Sequence, residues 1–338
     1  MTKKLSVLIV GCGNIAGGFD EKKTPLELPY THAGAYSRDE RFHISACVEP
    51  NEKRRRTFMT VWEVDNGFAS LDKLIALGGS FDVISICSPT ATHFHDLQKA
   101  ISLKPKVIFC EKPITYAITE TEQVIAECEK NNILLLVNYT RTWDPAFVQL
   151  RADIQAGQWG KLRSIVGTYN KGILNNGSHL INLLYSFVES IDIVGVSQPV
   201  FDFFENDPTV SALLESSNGL PIHLVAANAA DYAFFELQLI FSQGVLVMEE
   251  GGFRWRERRV EESSIFAGYQ RLDSGYFQDG SYGQSMLRAV DNIYKAVNDG
   301  GTLESTGLSA LKVQRLCAAI KQASLCRIKS HRQSYSKK

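Results

Sequence analysis

The stretch that decides the fold is LSVLIVGCGNIA, residues 5–16. Its first half is a short apolar run, which predicts a buried β-strand, and its second half has the pattern GxGxxA. In such a turn the first Gly permits a tight bend and the second lets a diphosphate approach the backbone, while the small third residue lets the next helix pack on the strand. Backbone N–H groups at the start of that helix then face the phosphates. We therefore predict that a dinucleotide binds at Gly11, Gly13, Asn14 and Ile15.

Further apolar runs alternate with segments of helical periodicity up to about Trp143. They have the continuous apolar character of strands buried on both faces of a parallel sheet, and they are Ile44–Val48, Val83–Cys87, Val107–Cys110 and Ile133–Val137. After Trp143 the pattern changes to β-like runs separated by tight turn signals, which is typical of an antiparallel sheet. The predicted fold class is α/β: a Rossmann doubly wound parallel sheet, followed by an α/β domain with an open, mainly antiparallel sheet.

Length and pattern together predict two domains and a tail. A chain of 338 residues is too long for one ordinary core. We assign residues 1–143 to a Rossmann dinucleotide-binding domain and residues 144–329 to an α/β substrate-binding and oligomerisation domain. Residues 330–338 are polar and basic, and we expect them to form a disordered tail.

Composition argues against several classes of function. The formal net charge is −1, so no bulk charge attracts the chain to nucleic acid or to an acidic membrane. No apolar run is long enough to span a bilayer, and the N-terminus lacks a signal-peptide pattern. The seven cysteines include no CxxC spacing, and His93 and His95 have no third ligand nearby at metal spacing. We therefore expect a cytoplasmic protein with neither disulfides nor a metal site.

Glu49 follows the second predicted strand, where a ribose-binding acid is expected. Its two carboxylate oxygens can accept both hydroxyls of the adenosine ribose and would repel a 2′-phosphate, so we predict NAD as the cofactor. The distance from the glycine turn exceeds the usual spacing because of an insertion, Phe19–Tyr30. The basic run Lys53–Arg56 keeps NADP open, since arginines there could hold a 2′-phosphate. A further alternative is that Glu49 merely caps the end of its strand.

Two short motifs follow the next strands at their carboxyl ends, where ligands of open α/β sheets bind. The first is Ser88-Pro89-Thr90, which is followed by Thr92 as the predicted cap of a helix that begins near His93. The second is Glu111-Lys112-Pro113, in which the proline forces a turn that projects the lysine into the cleft. Taken alone, such a lysine is more often an ordinary exposed turn residue. We predict that Ser88, Pro89, Thr90, His93, Glu111 and Lys112 contact the cofactor.

A third motif, Tyr169–His179, surrounds one histidine with glycines and small polar residues at the start of an apolar helix. An imidazole with the ordinary pKa of about 6.5 suits general acid–base chemistry at neutral pH. A lone His is more often structural, so this motif is weak evidence in isolation.

Taken together, these motifs resemble the glucose–fructose oxidoreductase/inositol dehydrogenase (Gfo/Idh/MocA) family. The matching stretches are GCGNIA at 11–16, SPTATH at 88–93, EKP at 111–113, NYTRTWDP at 138–145 and NNGSH at 175–179. The resemblance implies a Rossmann domain, a second domain with an open antiparallel sheet, and assembly into a homodimer or homotetramer. It also implies that Lys112 orients the substrate and that His179 exchanges a proton with the substrate hydroxyl.

One position departs from the family pattern. Many dehydrogenases of the family carry Asp four residues before the catalytic His, whereas this chain has Asn175. An amide can hydrogen-bond a hydroxyl or the imidazole, but it cannot stabilise the imidazolium by charge. We include Asn175 with Lys112 and His179 in the predicted catalytic set.

The predicted function is NAD(P)-dependent transfer of a hydride between nicotinamide and a hydroxyl or keto carbon of a sugar, cyclitol or nucleotide sugar. The alternative is a catalytically silent, dinucleotide-binding regulator with the same fold, which the departure at Asn175 keeps open. A second open question concerns Arg254–Arg259, which alternates charged and apolar residues. It reads as an ordinary solvated strand in preference to a site for a substrate phosphate.

Overall fold

The structure is a computed structural model and describes residues 4–24 and 26–335, with side chains as far as Arg327. Its contacts divide the chain into two compact units, Met1–Asp144 with Gly283–Lys312, and Pro145–Tyr282 with Val313–Lys338. The second unit differs from the predicted domain 144–329, because Asp144 and residues 283–312 belong to the first unit.

The first unit contains a six-stranded parallel sheet of the order β3-β2-β1-β4-β5-β6, which is the Rossmann order. Helices connect its strands. The elements are β1 (Leu5–Val10), α1 (His32–Ser37), β2 (Phe42–Val48), α2 (Glu52–Val61), β3 (Asn66–Phe68), α3 (Leu71–Ala76), β4 (Val83–Ile86), α4 (Thr90–Ser102), β5 (Val107–Cys110), α5 (Ile118–Lys130) and β6 (Leu134–Val137). The predicted parallel half of the fold is confirmed.

The central strands of this sheet are buried along their whole length, as their apolar runs predict. Every residue of β4 and β5 is buried, because helices cover both faces of the sheet. A late helix, 285–298, joins this core through Met286, Ala289, Val290 and Ile293, which cluster with residues of the first unit such as Val7. The apolar face of this helix explains why 283–312 belongs to the first unit.

The helix expected directly after β1 is interrupted. The N–H groups of Gly17 and Gly18 both donate to Gly13 O at 3.2 Å, and a short 3₁₀ turn over Gly18–Asp20 follows before the chain leaves the helical path. The path resumes at α1, where His32 N–H donates to Ile15 O at 3.2 Å and the following residue donates to the next carbonyl at 2.8 Å. Residues 17–31 therefore loop out of a helix whose two parts remain joined by backbone hydrogen bonds.

Asp20 closes this inserted loop. Its side chain is buried, and Oδ2 accepts hydrogen bonds from the N–H groups of Tyr30 and Thr31 at 2.8 Å and from Thr31 Oγ1 at 2.7 Å. Lys23 Nζ lies 2.9 Å from Oδ1 and 3.3 Å from the centre of the Tyr30 ring. Burial raises the pKa of the Asp20 carboxyl, but hydrogen bonds from Thr31, Lys23 and Tyr30 outweigh burial and leave the pKa below its ordinary value.

The second unit contains a mixed sheet whose strands are mainly antiparallel. Its elements are α6 (Pro145–Gln155), β7 (Leu162–Tyr169), α7 (Ser178–Leu184), β8 (Ile191–Val196), β9 (Val200–Phe204), β10 (Asp207–Thr209), β11 (Ala212–Ser216), β12 (Pro221–Ala226), β13 (Phe235–Phe241), β14 (Gly244–Glu249), β15 (Arg254–Glu262), β16 (Gln270–Leu272) and β17 (Tyr276–Asp279). The order is β16-β15-β14-β13-β7-β12-β11-β8, with β17 on β15 and with β7 and β12 as the parallel pair. The predicted second fold class is confirmed.

Two helices close the chain, α8 (Ser285–Asn298) and α9 (Gly307–Tyr335). The backbone of α9 is helical to Tyr335, which differs from the expected disorder of a tail that begins at residue 330. Residues 336–338 of that predicted tail lie outside the described residues. Across the described part of the chain, none of the helices combines the length and the apolar character that crossing a membrane requires.

We predict that Asp20→Ala lowers the free energy of unfolding of the first unit by about 3 kcal/mol, because three donors and the Lys23 ammonium lose a buried anionic acceptor. Urea unfolding at pH 7 measures the change. Since the pKa of Asp20 is lowered on folding, its contribution is present above the ordinary Asp pKa of about 3.9 and is lost as the pH falls through the folded value. The difference between the two proteins should therefore shrink in acid. Glu27→Ala, at an exposed residue of the same loop, is the control.

Candidate functional site

The glycine turn meets the end of a neighbouring strand in the first unit. Gly11 has a φ of +86°, and a Cβ atom at this position would lie 2.5 Å from the backbone nitrogen of Ser88. Gly11 N–H donates to Val48 O at 2.8 Å, which binds the same turn to the end of β2. Only glycine tolerates both the backbone conformation and the close approach. The turn, Ser88 and the residue after Val48 are thereby brought together at one edge of the sheet.

The turn presents unused backbone donors. Within the described residues, the N–H groups of Gly13, Asn14 and Ile15 have no hydrogen-bond acceptor. A Cβ atom built at Gly13 would have no heavy atom within 4 Å, so the space in front of the turn is open. Free N–H groups at the start of a helical turn attract an anion. These residues fit the diphosphate of a dinucleotide, although they belong to a single turn instead of the continuous helix that the pattern predicts.

Glu49 lies beside this turn. Its side chain is buried, with Oε2 accepting the Cys12 N–H at 3.1 Å and Oε1 accepting the Asn51 N–H at 3.0 Å. A carboxylate oxygen has further lone pairs, so both oxygens can still accept hydroxyl hydrogens. The Arg54 guanidinium is 3.5 Å from Oε2, and Arg55 donates to the Glu49 backbone carbonyl at 2.6 Å. The alternative that Glu49 only caps its strand does not account for its bond to the glycine turn.

The helix after Ser88 begins earlier than predicted. Helix α4 starts at Thr90, with Pro89 in the capping position and no side-chain cap. Thr92, the predicted cap, lies inside the helix, where its hydroxyl donates to Asp96 Oδ2 at 2.7 Å. Ser88 Oγ donates to the same oxygen at 2.7 Å. Asp96 therefore stabilises the start of this helix by accepting hydrogen bonds from both hydroxyls.

His93 was predicted to contact the cofactor, but the structure gives its ring other partners. The residue is 1% exposed, with Nε2 2.8 Å from Ser88 O and Nδ1 3.0 Å from Pro113 O and 3.1 Å from Ile114 O. Both ring nitrogens thus face backbone carbonyls. His93 therefore links the loop after β4 to the loop after β5, which gives the histidine of the SPTATH stretch a structural role.

Glu111 and Lys112 follow β5. The Glu111 carboxylate, which was also predicted to contact the cofactor, receives a hydrogen bond from Asn138 Nδ2 at 2.6 Å and lies 3.0 Å from His32 Nε2. Burial raises the pKa of the Glu111 carboxyl, but the hydrogen bond and charge of His32, the Asn138 amide and the Lys112 charge outweigh it. The pKa is therefore lowered, and Glu111 is an anion at neutral pH.

Sequence reasoning missed His32 completely. The residue lies in a stretch of small apolar residues, 79 positions before Glu111, and its side chain is fully buried. No local pattern marks a histidine whose partner comes from a distant strand. Asn138 carried a weak signal, because it directly follows β6 at the same edge of the sheet.

In the second unit, two aspartates hold the loop that precedes His179. Residues Gly172–Gly177 form a π-helical turn, whose N–H groups at Leu174 and Asn175 donate to the two oxygens of Asp207 at 2.9 Å each. The N–H of Lys171 donates to Asp202 Oδ2 at 3.0 Å. Asp202 and Asp207 lie in β9 and β10, which form a separate two-stranded sheet. A π-helical turn often marks a functional site.

His179 is the second residue of α7 and is partly buried. Its ring lies edge-on to Phe235, with 6.4 Å between ring centres. Asn175, one turn earlier, is partly buried too, and its carbonyl accepts the hydroxyl of Ser178 at 2.8 Å. Lys112 belongs to the first unit, whereas Asn175 and His179 belong to the second. Their catalytic roles stay predictions.

The arginines of β15 have partners within the protein. Arg254 pairs with Glu249 and Glu250 at 3.1 Å each. The Arg259 guanidinium stacks over the Trp159 ring at 3.4 Å from its centre. These contacts agree with an ordinary charged strand. In the described part of the chain, no group of three or more His, Cys, Asp or Glu side chains is arranged to hold a metal ion.

Residues 5–139 match the Gfo/Idh/MocA profile, described as an oxidoreductase family with an NAD-binding Rossmann fold. This part of the first unit is thus similar to the Rossmann domain of that family. This confirms the resemblance that the motifs indicated, and it confirms a dinucleotide of the NAD type as the cofactor class. Nothing in this match concerns the residues after 139.

Relatives extend the comparison. The uncharacterized oxidoreductase YrbE of Bacillus subtilis is 28% identical over 160 residues, which cover 47% of this chain and 42% of YrbE. This chain thus spans less than half of the length of YrbE. Inositol 2-dehydrogenase of Rhizobium meliloti is 22% identical over 267 residues, or 72% of this chain and 79% of that enzyme.

A solved structure of similar fold is that of KijD10, a 3-ketoreductase from Actinomadura kijaniata. Its TM-score is 0.74 at 16% identity, and the match covers 95% of this chain and 98% of KijD10. At this identity the likeness shows the fold alone.

We predict that Gly13→Ala weakens dinucleotide binding at least tenfold while the melting temperature stays close to that of the wild type. The added methyl group meets no protein atom, so the fold tolerates it, but it occupies space that a diphosphate needs. Titration calorimetry with NAD measures the affinity. Gly195→Ala, a substitution in β8 that also meets no atom within 4 Å, should change neither quantity. Unchanged NAD affinity in Gly13→Ala would contradict a diphosphate site at this turn.

Proposed function

We propose that this protein is an NAD-dependent oxidoreductase that interconverts a secondary alcohol and a ketone on a polyhydroxylated substrate, a sugar or cyclitol. The observation that carries the proposal is the glycine turn itself, with three unused N–H donors, open space at Gly13 and a buried carboxylate at Glu49. A glycine turn after the first strand, together with an acid after the second, is the pattern by which Rossmann domains hold the diphosphate and ribose of a dinucleotide. The name of the inositol 2-dehydrogenase relative supports the substrate class.

Glu49 favours NAD over NADP. Its carboxylate is held against the glycine turn by the Cys12 N–H, so its position is fixed before any cofactor binds. A buried anion there accepts ribose hydroxyls and repels a 2′-phosphate. Arg54 opposes this preference only weakly, because its side chain is 57% exposed and its guanidinium is already directed toward Glu49 at 3.5 Å.

We predict that Glu49→Gln weakens NAD binding about tenfold and leaves NADP binding unchanged or tighter, because the amide keeps an acceptor for Cys12 but removes the negative charge. Steady-state kinetics and titration with both cofactors measure the two affinities. Glu52→Gln is the matched control, since Glu52 is exposed and pairs with Arg56 on the same helix. A wild-type protein that strongly prefers NADP would exclude the assignment of Glu49 as a ribose ligand.

The proposed chemistry gives Lys112 and His179 one role each. When bound, the nicotinamide supplies the carbon that accepts or returns the hydride. Lys112 carries a positive charge that stabilises the negative charge developing on the substrate oxygen. His179 takes the proton of the substrate hydroxyl as the C–H bond breaks, which yields the ketone and an imidazolium, and in reduction it returns this proton.

Asn175 completes the proposed set. As an amide it can donate a hydrogen bond to a substrate hydroxyl and accept one from a second hydroxyl. Its backbone is fixed by Asp207, so the amide starts from a defined position one helical turn before His179. We propose that Asn175 contributes to substrate binding and not to proton transfer, because an amide does not titrate near neutral pH.

We expect Lys112→Ala and His179→Ala each to lower kcat by about 10²–10⁴-fold, while the NAD affinity changes little. Absorbance at the NADH band, with a panel of cyclitols and sugars, provides the assay. Lys130→Ala and His223→Ala replace exposed residues of the same types in the two units and should retain full activity. Cofactor binding without turnover on the whole panel would instead support a silent dinucleotide-binding regulator.

A further inference from the structure

A buried polar network lies below the Glu111-Lys112 turn, and the proposed mechanism does not use it. The His32 side chain is fully buried, with Nε2 3.0 Å from Glu111 Oε1 and Nδ1 3.2 Å from Ser85 Oγ. Tyr36 OH lies 3.0 Å from the same Ser85 oxygen. Three polar side chains thus lead from the interior of the first unit to one carboxylate. Burial of polar groups is costly unless each one is hydrogen-bonded, so such a network needs a reason.

The hydrogen bonds of this network end on one acceptor. The carboxylate can only accept, so His32 Nε2 donates to Glu111. Nδ1 of the same ring shares a hydrogen bond with Ser85 Oγ, which shares another with Tyr36 OH. Both nitrogens of the buried His32 ring are therefore held by side chains of the first unit.

A second set of hydrogen bonds reaches Glu111 Oε1 from residues that follow β6. Asn138 Nδ2 donates to Glu111 Oε1 at 2.6 Å, and the Thr140 hydroxyl donates to Asn138 Oδ1 at 3.0 Å. The bond from Thr140 fixes which end of the Asn138 amide faces Glu111. Because Glu111 N–H also donates to Ile86 O at 2.9 Å, both the backbone and the side chain of Glu111 are held in place.

We propose that His32 and Asn138 are positioning residues that hold the Glu111 carboxylate in place and thereby set the position of Lys112. The proposal rests on the proposed function only for the catalytic role of Lys112. Lys112 follows Glu111 directly, so a fixed Glu111 defines where the lysine side chain begins. The charge of Lys112 also helps to lower the pKa of the Glu111 carboxyl, so the two neighbouring groups interact electrostatically.

The insertion 17–31 gives this network a particular origin in this chain. His32 is the residue at which the interrupted helix resumes, and its backbone N–H is bonded to Ile15 O at 3.2 Å. His32 therefore contacts the glycine turn through its backbone and Glu111 through its side chain. We expect a substitution of His32 to affect Lys112 more than the open N–H donors at Gly13–Ile15, because the His32 side chain makes the contact with Glu111.

The test compares four variants of the full-length protein. His32→Leu removes one donor to Glu111, His32→Gln retains a donor, and Asn138→Ala removes the second donor. Asn292→Ala is the control, because it removes a 3.2 Å hydrogen bond from Trp143 in the same unit without touching Glu111. For each variant we would measure kcat and KM, the NAD dissociation constant and the melting temperature.

A further measurement does not depend on turnover. Trace labelling with acetic anhydride modifies only neutral amines, and mass spectrometry then gives the labelling of Lys112 relative to the exposed Lys130 in the same sample. In His32→Leu and Asn138→Ala this ratio should rise severalfold, since a loosened Glu111 no longer fixes the lysine beside it and the amine becomes more accessible to the reagent. Asn292→Ala should leave the ratio unchanged.

We expect His32→Leu to lower kcat about 10–100-fold with an NAD affinity close to that of the wild type, and His32→Gln to recover most of this loss. If His32→Leu, Asn138→Ala and His32→Gln only melt at lower temperature, with unchanged kcat or unchanged Lys112 labelling, the network serves stability alone and the proposal is overturned. If the wild type shows no turnover but the labelling ratio still rises in His32→Leu and Asn138→Ala, positioning stands and the proposed function fails.

Discussion

The last hydrogen bonds of the parallel sheet hold the loops of the first unit in register. In four of the strands, the first residue after the strand donates one backbone hydrogen bond to the end of the neighbouring strand. These bonds are Gly11 N–H to Val48 O, Cys87 N–H to Val10 O, Glu111 N–H to Ile86 O and Asn138 N–H to Cys110 O, all between 2.7 and 2.9 Å. Parallel strands end at the same edge, so these bonds bring the first residues of four loops to one place. The chemistry of the site depends on this edge more than on any single side chain.

Side chains then fix the loops that the sheet has brought together. His93 joins the loops after β4 and β5 through three carbonyl oxygens, and Asp96 holds Ser88. Glu49 binds the glycine turn, while Glu111 is anchored from two directions. In each case contacts from an ionisable side chain hold the loop in place, which makes it more rigid before any ligand arrives. Glu49, His93 and Glu111 therefore fix the loops at this edge, and their predicted contacts with a cofactor stay predictions.

The inserted loop shows how a Rossmann domain tolerates an interruption at a sensitive point. The helix after the glycine turn is cut, yet backbone bonds from His32 and Ala33 to Ile15 and Ala16 continue its hydrogen-bond pattern across the gap. Asp20 closes the loop with a buried anion, so the ends of the insertion stay together. In the second unit, Asp207 plays a comparable part by receiving the N–H groups of the turn that leads to His179. In both places an aspartate side chain accepts the backbone N–H groups that regular secondary structure would otherwise pair.

The sequence alone determined the fold class, most strand positions and the dinucleotide turn, because these depend on local periodicity and on the conformational freedom of glycine. Leu5–Val10, Val107–Cys110 and Gly244–Glu249 form strands with the predicted bounds. Only the tertiary structure decided which polar residues meet. His32 and Glu111 are 79 positions apart, and α8 returns to the first unit after the whole second sheet. Such contacts carry no local signal, because the free energy that selects them arises from packing and desolvation between segments that are distant in sequence.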